Sequence, residues 1–118
     1  MSHDVLDHAA FAHLLEITGD DLEFVDELID TFLDDATVQL DAMREAAFAN
    51  DAAAMVRPAH SLKSNSANVG ATVLAELCRS LEADGRSGTV TDATGRVSAC
   101  GQAFTEARTA LLGERAAR

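Results

Sequence analysis

Apolar residues recur every three or four positions along most of this chain, the spacing of one buried helix face. The clearest run is Leu22, Val25, Leu28, Ile29, Phe32, Leu33, Ala36, Leu40, Met43 and Ala47. It predicts a long helix over about residues 21–48, with Asp26, Asp30, Asp34, Asp35 and Asp41 on its wet side. Asp20 followed by Glu23 reads as a capping box at its start. Thr18-Gly19-Asp20 separates it from a shorter first helix over about residues 5–17. That helix is capped by Asp4, and its apolar side carries Leu6, Phe11, Leu14 and Leu15. Asn50-Asp51 closes the long helix and caps a third, about 51–68. Gly70 ends the third, in a tight turn that lets the next helix pack close. A fourth helix, about 71–84, buries Val73, Leu74, Leu77, Cys78 and Leu81. The glycine-containing stretch 83–88 reads as a turn. A fifth helix starts near Thr91 or Asp92 and runs to about 113. Val90, Ala93, Val97, Cys100, Phe104, Ala107 and Leu111 form its seam. Residues 114–118 are expected to be disordered.

The pattern therefore predicts an all-α fold: an antiparallel four-helix bundle with a short additional N-terminal helix across one end. Its 118 residues suit a single domain with its core over about 4–113. Composition agrees with helices. There is one Pro, no Trp or Tyr, and the core must come from Leu, Val, Ala and five Phe.

Charge narrows the partners. Lys plus Arg is 9 against 20 Asp plus Glu, a net −11 that repels nucleic acid and anionic membrane surfaces. No stretch is apolar and long enough to span a bilayer, and the N-terminus lacks a signal peptide's basic and apolar regions. A cytoplasmic, monomeric protein is the expectation. Cys78 and Cys100 fall at apolar helix positions and read as small core residues, not as a disulfide or a metal pair. His8 and His13 are about 140° apart around a helix, unsuited to chelation, and His3 lies near the chain end. No metal site is expected.

The third helix carries the chemistry. Taking His60 as the origin at about 100° per residue, Lys63, Ser64 and Ala67 fall within about 60° of it. Met55, Ala59, Leu62 and Ser66 lie on another side, the one that faces the core. An out-facing imidazole is a nucleophile able to carry a covalent group. Lys63 is the sole lysine in the chain, a compact ammonium one turn away that suits an anion bound and then released. Ser64 and Ala67 leave room for that anion. Pro58, just before His60, removes one helix hydrogen bond and predicts a bend or widened turn there. A helix starting near Pro58 is the alternative.

His60-Ser-Leu-Lys63-Ser64-Asn-Ser-Ala-Asn-Val-Gly70-Ala71 resembles the histidine-containing phosphotransfer (HPt) domain of two-component phosphorelays. That family's pattern is His-x-x-Lys-(Gly or Ser), small residues, then Gly. Ala59 and Leu77-Cys78-x-x-Leu81-Glu82 also look like family positions. The resemblance implies a four-helix bundle and a phosphoryl carrier rather than a free-standing enzyme. His60 would accept the group on Nε2 from a receiver-domain phosphoaspartate or a histidine kinase, and pass it to another receiver aspartate. Lys63 and Ser64 would steady the phosphoryl oxygens, and Ala67 and Gly70 would keep the surroundings open. The implied partners are response-regulator receiver domains and a histidine or hybrid kinase. The magnesium belongs to the receiver, and this chain needs no cofactor of its own. Some family members place a polar and a basic residue late on the fourth helix, where Glu82 and Arg86 stand here. An acid facing phosphate repels it, so the resemblance points to Arg86 and away from Glu82. Docking in the family uses the first helices, which suggests Phe11, Leu14, Leu15 and Ile17. Arg57, with Lys63, Arg79 and Arg86, could supply local positive charge.

Other classes fare worse. A helical protein-binding module without phosphoryl carriage needs neither His60 nor Lys63. A metal enzyme in a bundle takes Glu-x-x-His pairs, and no Glu stands three before any His. A Cys–His or Ser–His hydrolase needs an exposed thiol or an oxyanion loop, and neither is visible.

Overall fold

Five helices run through the described residues, 6–19 and 21–117 of the computed structural model, in which there is no strand. They are α1 (His8–Ile17), α2 (Leu22–Phe48), α3 (Ala52–Asn68), α4 (Thr72–Ser87) and α5 (Ala93–Ala116). Short turns fold successive helices back on one another. α3 packs against α4 and α2, and α5 closes the ring against α2 and α4. α1 lies on α3 and α2. The observed class is the expected all-α bundle with one extra N-terminal helix.

Aspartates start three helices. Asp7 accepts from the backbone N–H of Ala9 and Ala10, Asp21 from Phe24, and Asp51 from Ala54. Each satisfies donors that the first turn leaves unpaired. α1 thus starts after Asp7, and Leu6, expected in the helix, is buried just before it. The caps expected at Asp4 and Asp20, and His3, lie outside the described residues.

The core is the stripe that the periodicity marks: Val25, Ile29, Phe32, Ala36, Leu40 and Met43 on α2, Met55, Ala59, Leu62 and Ser66 on α3. Val97, Cys100, Phe104, Ala107 and Leu111 meet them from α5. The Phe32 and Phe104 rings cross edge to face at 5.9 Å, joining α2 to α5. Cys78 and Cys100 are free and buried. Val73 and Leu77, expected inside, are only half-buried, and Leu22 is exposed at the first position of α2. Among the described residues no helix is long and apolar enough to cross a membrane.

Glycine explains two departures from expectation. α4 does not end at 84. It continues through Gly85 to Ser87 and ends at Gly88, whose φ is +97°. Gly85 is a contact residue: a Cβ there would lie 2.9 Å from both the Ala52 carbonyl oxygen and Val56 Cγ2. Gly70, with φ +79°, does end α3, but the neighbour it admits is α1 rather than α4. A Cβ on Gly70 would lie 2.9 Å from the Asp7 carbonyl oxygen, and the Asp7 N–H donates to the Gly70 carbonyl at 2.6 Å.

Two ends also differ. α5 runs to Ala116, three residues beyond the expected end and into the stretch expected to be disordered. Arg115 holds that last turn on α2: its Nη2 donates to the Asp26 carbonyl at 2.7 Å and its Nη1 to Asp30 at 3.1 Å. α3 begins at Ala52 and runs continuously through a buried Pro58, so it does not start at the proline.

Candidate phosphoryl-acceptor site

His60 stands on the middle of α3 with its side chain 54% exposed. The core residues Met55, Ala59, Leu62 and Ser66 fix the roll of that helix by burying its other face. Ser64 and Ala67 are exposed near His60, and Lys63 is half-buried. The stripe predicted from helical spacing is therefore assembled on the surface.

The residue that organises this stripe comes from α4. Glu82 is 6% exposed and is the one charged side chain among the buried described residues. Its Oε2 lies 2.9 Å from His60 Nδ1 and 2.8 Å from Arg86 Nη2, and Arg86 Nε also donates to it at 3.2 Å. Its Oε1 lies 2.6 Å from Lys63 Nζ. Lys63 and Glu82 thus form an ion pair at this oxygen. Contact with the Lys63 ammonium, then with the Arg86 guanidinium, holds the Glu82 carboxyl down to about 2; burial opposes this and the His60 ring adds to it.

Chemistry follows from that ionised carboxylate. An acceptor-only group beside Nδ1 requires the ring to donate there. In the neutral ring that proton is on Nδ1, and Nε2 keeps its lone pair for attack. Glu82 fixes both the ring's tautomer and its direction, as the second partner of a reactive histidine does. Two cations, Lys63 and Arg86, meet on the same carboxylate that holds Nδ1.

On charge alone Glu82 is an unexpected member of this site, because an acid facing phosphate repels it. The structure places the Glu82 carboxylate against Nδ1, which leaves the Nε2 side of the ring to another group. A sequence signal was present. Leu74, Cys78, Leu81, Glu82 and Gly85 lie on the buried side of α4, and an acid at such a position needs partners. Of the four expected cations, Lys63 and Arg86 are gathered at the site. Arg79 instead pairs with exposed Glu76, and Arg57 is exposed without an ion pair among the described residues.

A groove of about 520 Å³ runs beside His60 between α2 and α3. Ser61, Ser64, Asn65 and Asn68 line one side and Leu28, Thr31, Asp35 and Gln39 the other. Asn65 Nδ2 donates to Asp35 at 2.7 Å across it. Of the expected docking residues, only Leu14 lines this groove. Phe11 is core, Leu15 is half-buried against the core, and Ile17 is 66% exposed outside the groove. Gly70 lies at the contact with α1.

Comparison with known proteins agrees with this geometry. The family model described as "Hpt domain" matches residues 27–113. The crystal structure of histidine-containing phosphotransfer protein B (HptB) from Pseudomonas aeruginosa PAO1 superposes with a TM-score of 0.86 at 32% identity. The match covers 99% of each chain. No curated protein matches the sequence. The chain belongs to the Hpt domain family, the phosphotransfer carriers of two-component signalling.

Proposed function

We propose that His60 is the phosphoryl carrier of this protein. A receiver domain bearing phosphoaspartate, or a histidine kinase, docks over α2 and α3 and presents phosphorus to Nε2. From phosphoaspartate, the N–P bond forms in line as the aspartate oxygen leaves with its electron pair. The group then passes to the aspartate of another receiver. Lys63 and Arg86 meet the phosphoryl oxygens, Glu82 holds Nδ1–H, and Ser64 offers a hydroxyl. The receiver brings the magnesium, and this chain supplies a positioned nucleophile and charge, which are the main requirements of phosphoryl transfer.

The observation that carries this reading is the contact of the exposed His60 ring, through Nδ1, with a Glu82 carboxylate that also holds Lys63 and Arg86. A helical binding module has no use for an oriented imidazole. The test is incubation with a phosphorylated receiver domain, scoring acid-labile, base-stable phosphate on this protein. Label that disappears in His60→Gln supports the assignment. Label that persists in His60→Gln refutes it, and complex formation without label favours the binding module.

A further inference from the structure

We propose that the negative charge of Glu82, beyond the hydrogen bond it accepts, makes His60 an efficient donor of the phosphoryl group as well as its acceptor. The inference rests on His60 being the carrier. One carboxylate here answers three donors, at 2.9 Å to His60, 2.6 Å to Lys63 and 2.8 Å to Arg86. An amide at position 82 could also accept from Nδ1, though without the charge. The charge must therefore do something that the hydrogen bond alone does not.

Attack by Nε2 forms the N–P bond, and the aspartate leaves with the electron pair of the broken O–P bond. The ring becomes positive, with its proton still on Nδ1. A carboxylate on that proton keeps it there, because opposite charge favours the protonated ring. A neutral acceptor does not resist its loss to water. In the onward step the N–P bond breaks and its electron pair returns to Nε2. A ring that has kept the Nδ1 proton departs as neutral imidazole. A ring that has lost it must depart as an imidazolate, a far poorer leaving group. The two cations act in the same direction. Phosphoryl oxygens compete with Glu82 for Lys63 and Arg86, and Glu82 draws both back as the group departs.

Glu82→Gln separates the two roles, since it keeps the acceptor and the shape while removing the charge. Wild type and variant, both checked for helical content, are phosphorylated from a receiver domain, isolated, and mixed with unphosphorylated receiver. Onward transfer from Glu82→Gln is expected to slow about tenfold, the gap between a charge-assisted and a neutral hydrogen bond. Glu82→Asp, with the charge on a shorter stem, is expected to recover part of the rate. Nitrogen-15 NMR of the phosphorylated ring at mildly alkaline pH should find Nδ1 protonated in wild type and unprotonated in Glu82→Gln. Equal transfer rates overturn the proposal, and so does slower transfer with the Nδ1 proton retained, which marks a merely structural loss. Absence of any His60-dependent label in wild type overturns the carrier reading itself and this inference with it.

Discussion

Gly85 of α4 lies so close to Val56 of α3 that a Cβ on the glycine would sit 2.9 Å from Val56 Cγ2 and equally near the Ala52 carbonyl oxygen. This bare patch of helix lets the two axes approach. Glu82, one turn earlier on α4, thereby comes within 2.9 Å of His60, one turn after Val56 on α3. The reactive ring and its carboxylate are 22 residues apart in sequence, and this contact brings them together.

Gly85→Ala tests that relationship. The methyl group must push α4 from α3, at about 1–3 kcal/mol for overpacking, offset by up to ~1 kcal/mol from the better helix former. The expected result is a lower urea midpoint together with weaker phosphoryl labelling of His60. A fully stable variant with undiminished labelling would show that the close approach does not position Glu82.

Acid titration should expose the Glu82 cluster. The carboxyl's folded pKa, about 2, is below its ordinary 4.5. A depressed pKa contributes stability that is complete above the ordinary value and is lost as pH falls through the folded one. Wild type should therefore lose stability between pH 4.5 and about 2 more steeply than Glu82→Gln. Urea midpoints measured across that window check the difference, and parallel curves would contradict the assignment.

Lys63→Ala should leave the bundle folded, because Glu82 keeps Arg86 and His60. Its initial rate of labelling should fall about tenfold, the weight of one charge-assisted contact to the phosphoryl group. Lys63→Arg should restore this only in part. A planar guanidinium grips a carboxylate bidentately and yields it less readily than a point-like ammonium does. Stopped-time phosphorylation assays on the three proteins decide it.

Gly70→Ala addresses the α1 contact. At φ +79° a side chain is strained, and here the Cβ would also meet the Asp7 carbonyl oxygen at 2.9 Å. A loss exceeding ~1 kcal/mol is expected, with α1 loosened while α2 to α5 remain. Faster hydrogen exchange confined to α1 and the turn at residue 70 would be the signature.

Ser66→Ala should stabilise the protein or leave it unchanged. Ser66 is 0% exposed, and its hydroxyl has no hydrogen-bond partner among the described residues. Removing a buried, unpaired polar group is worth about 1 kcal/mol. Thermal unfolding of the pair measures it, and a marked destabilisation would mean that the hydroxyl has a partner after all.

Much of the bundle was legible in the chain. Val25 through Met43 step along one face of α2, and the same face is buried because a 3.6-residue period leaves no other stripe apolar enough to exclude water. The out-facing side of α3 was legible for the same reason: once Met55, Ala59 and Leu62 are buried, His60 and Ser64 must point away. Breakers were less dependable. Gly70 and Gly85 look alike in sequence, yet one ends a helix at positive φ and the other continues it against a neighbouring backbone. The end of α5 was misplaced because an ion pair to Asp30, 85 residues away, secures Arg115.

By itself, then, the sequence determined the helices, the faces they bury and the exposed histidine with its lysine, because those follow from local periodicity and spacing. Tertiary structure alone decided that Glu82 stands behind the ring with Lys63 and Arg86 gathered on it. The sign of a charge says whether it attracts or repels, but which atom of the imidazole it meets depends on how closely two helices pack.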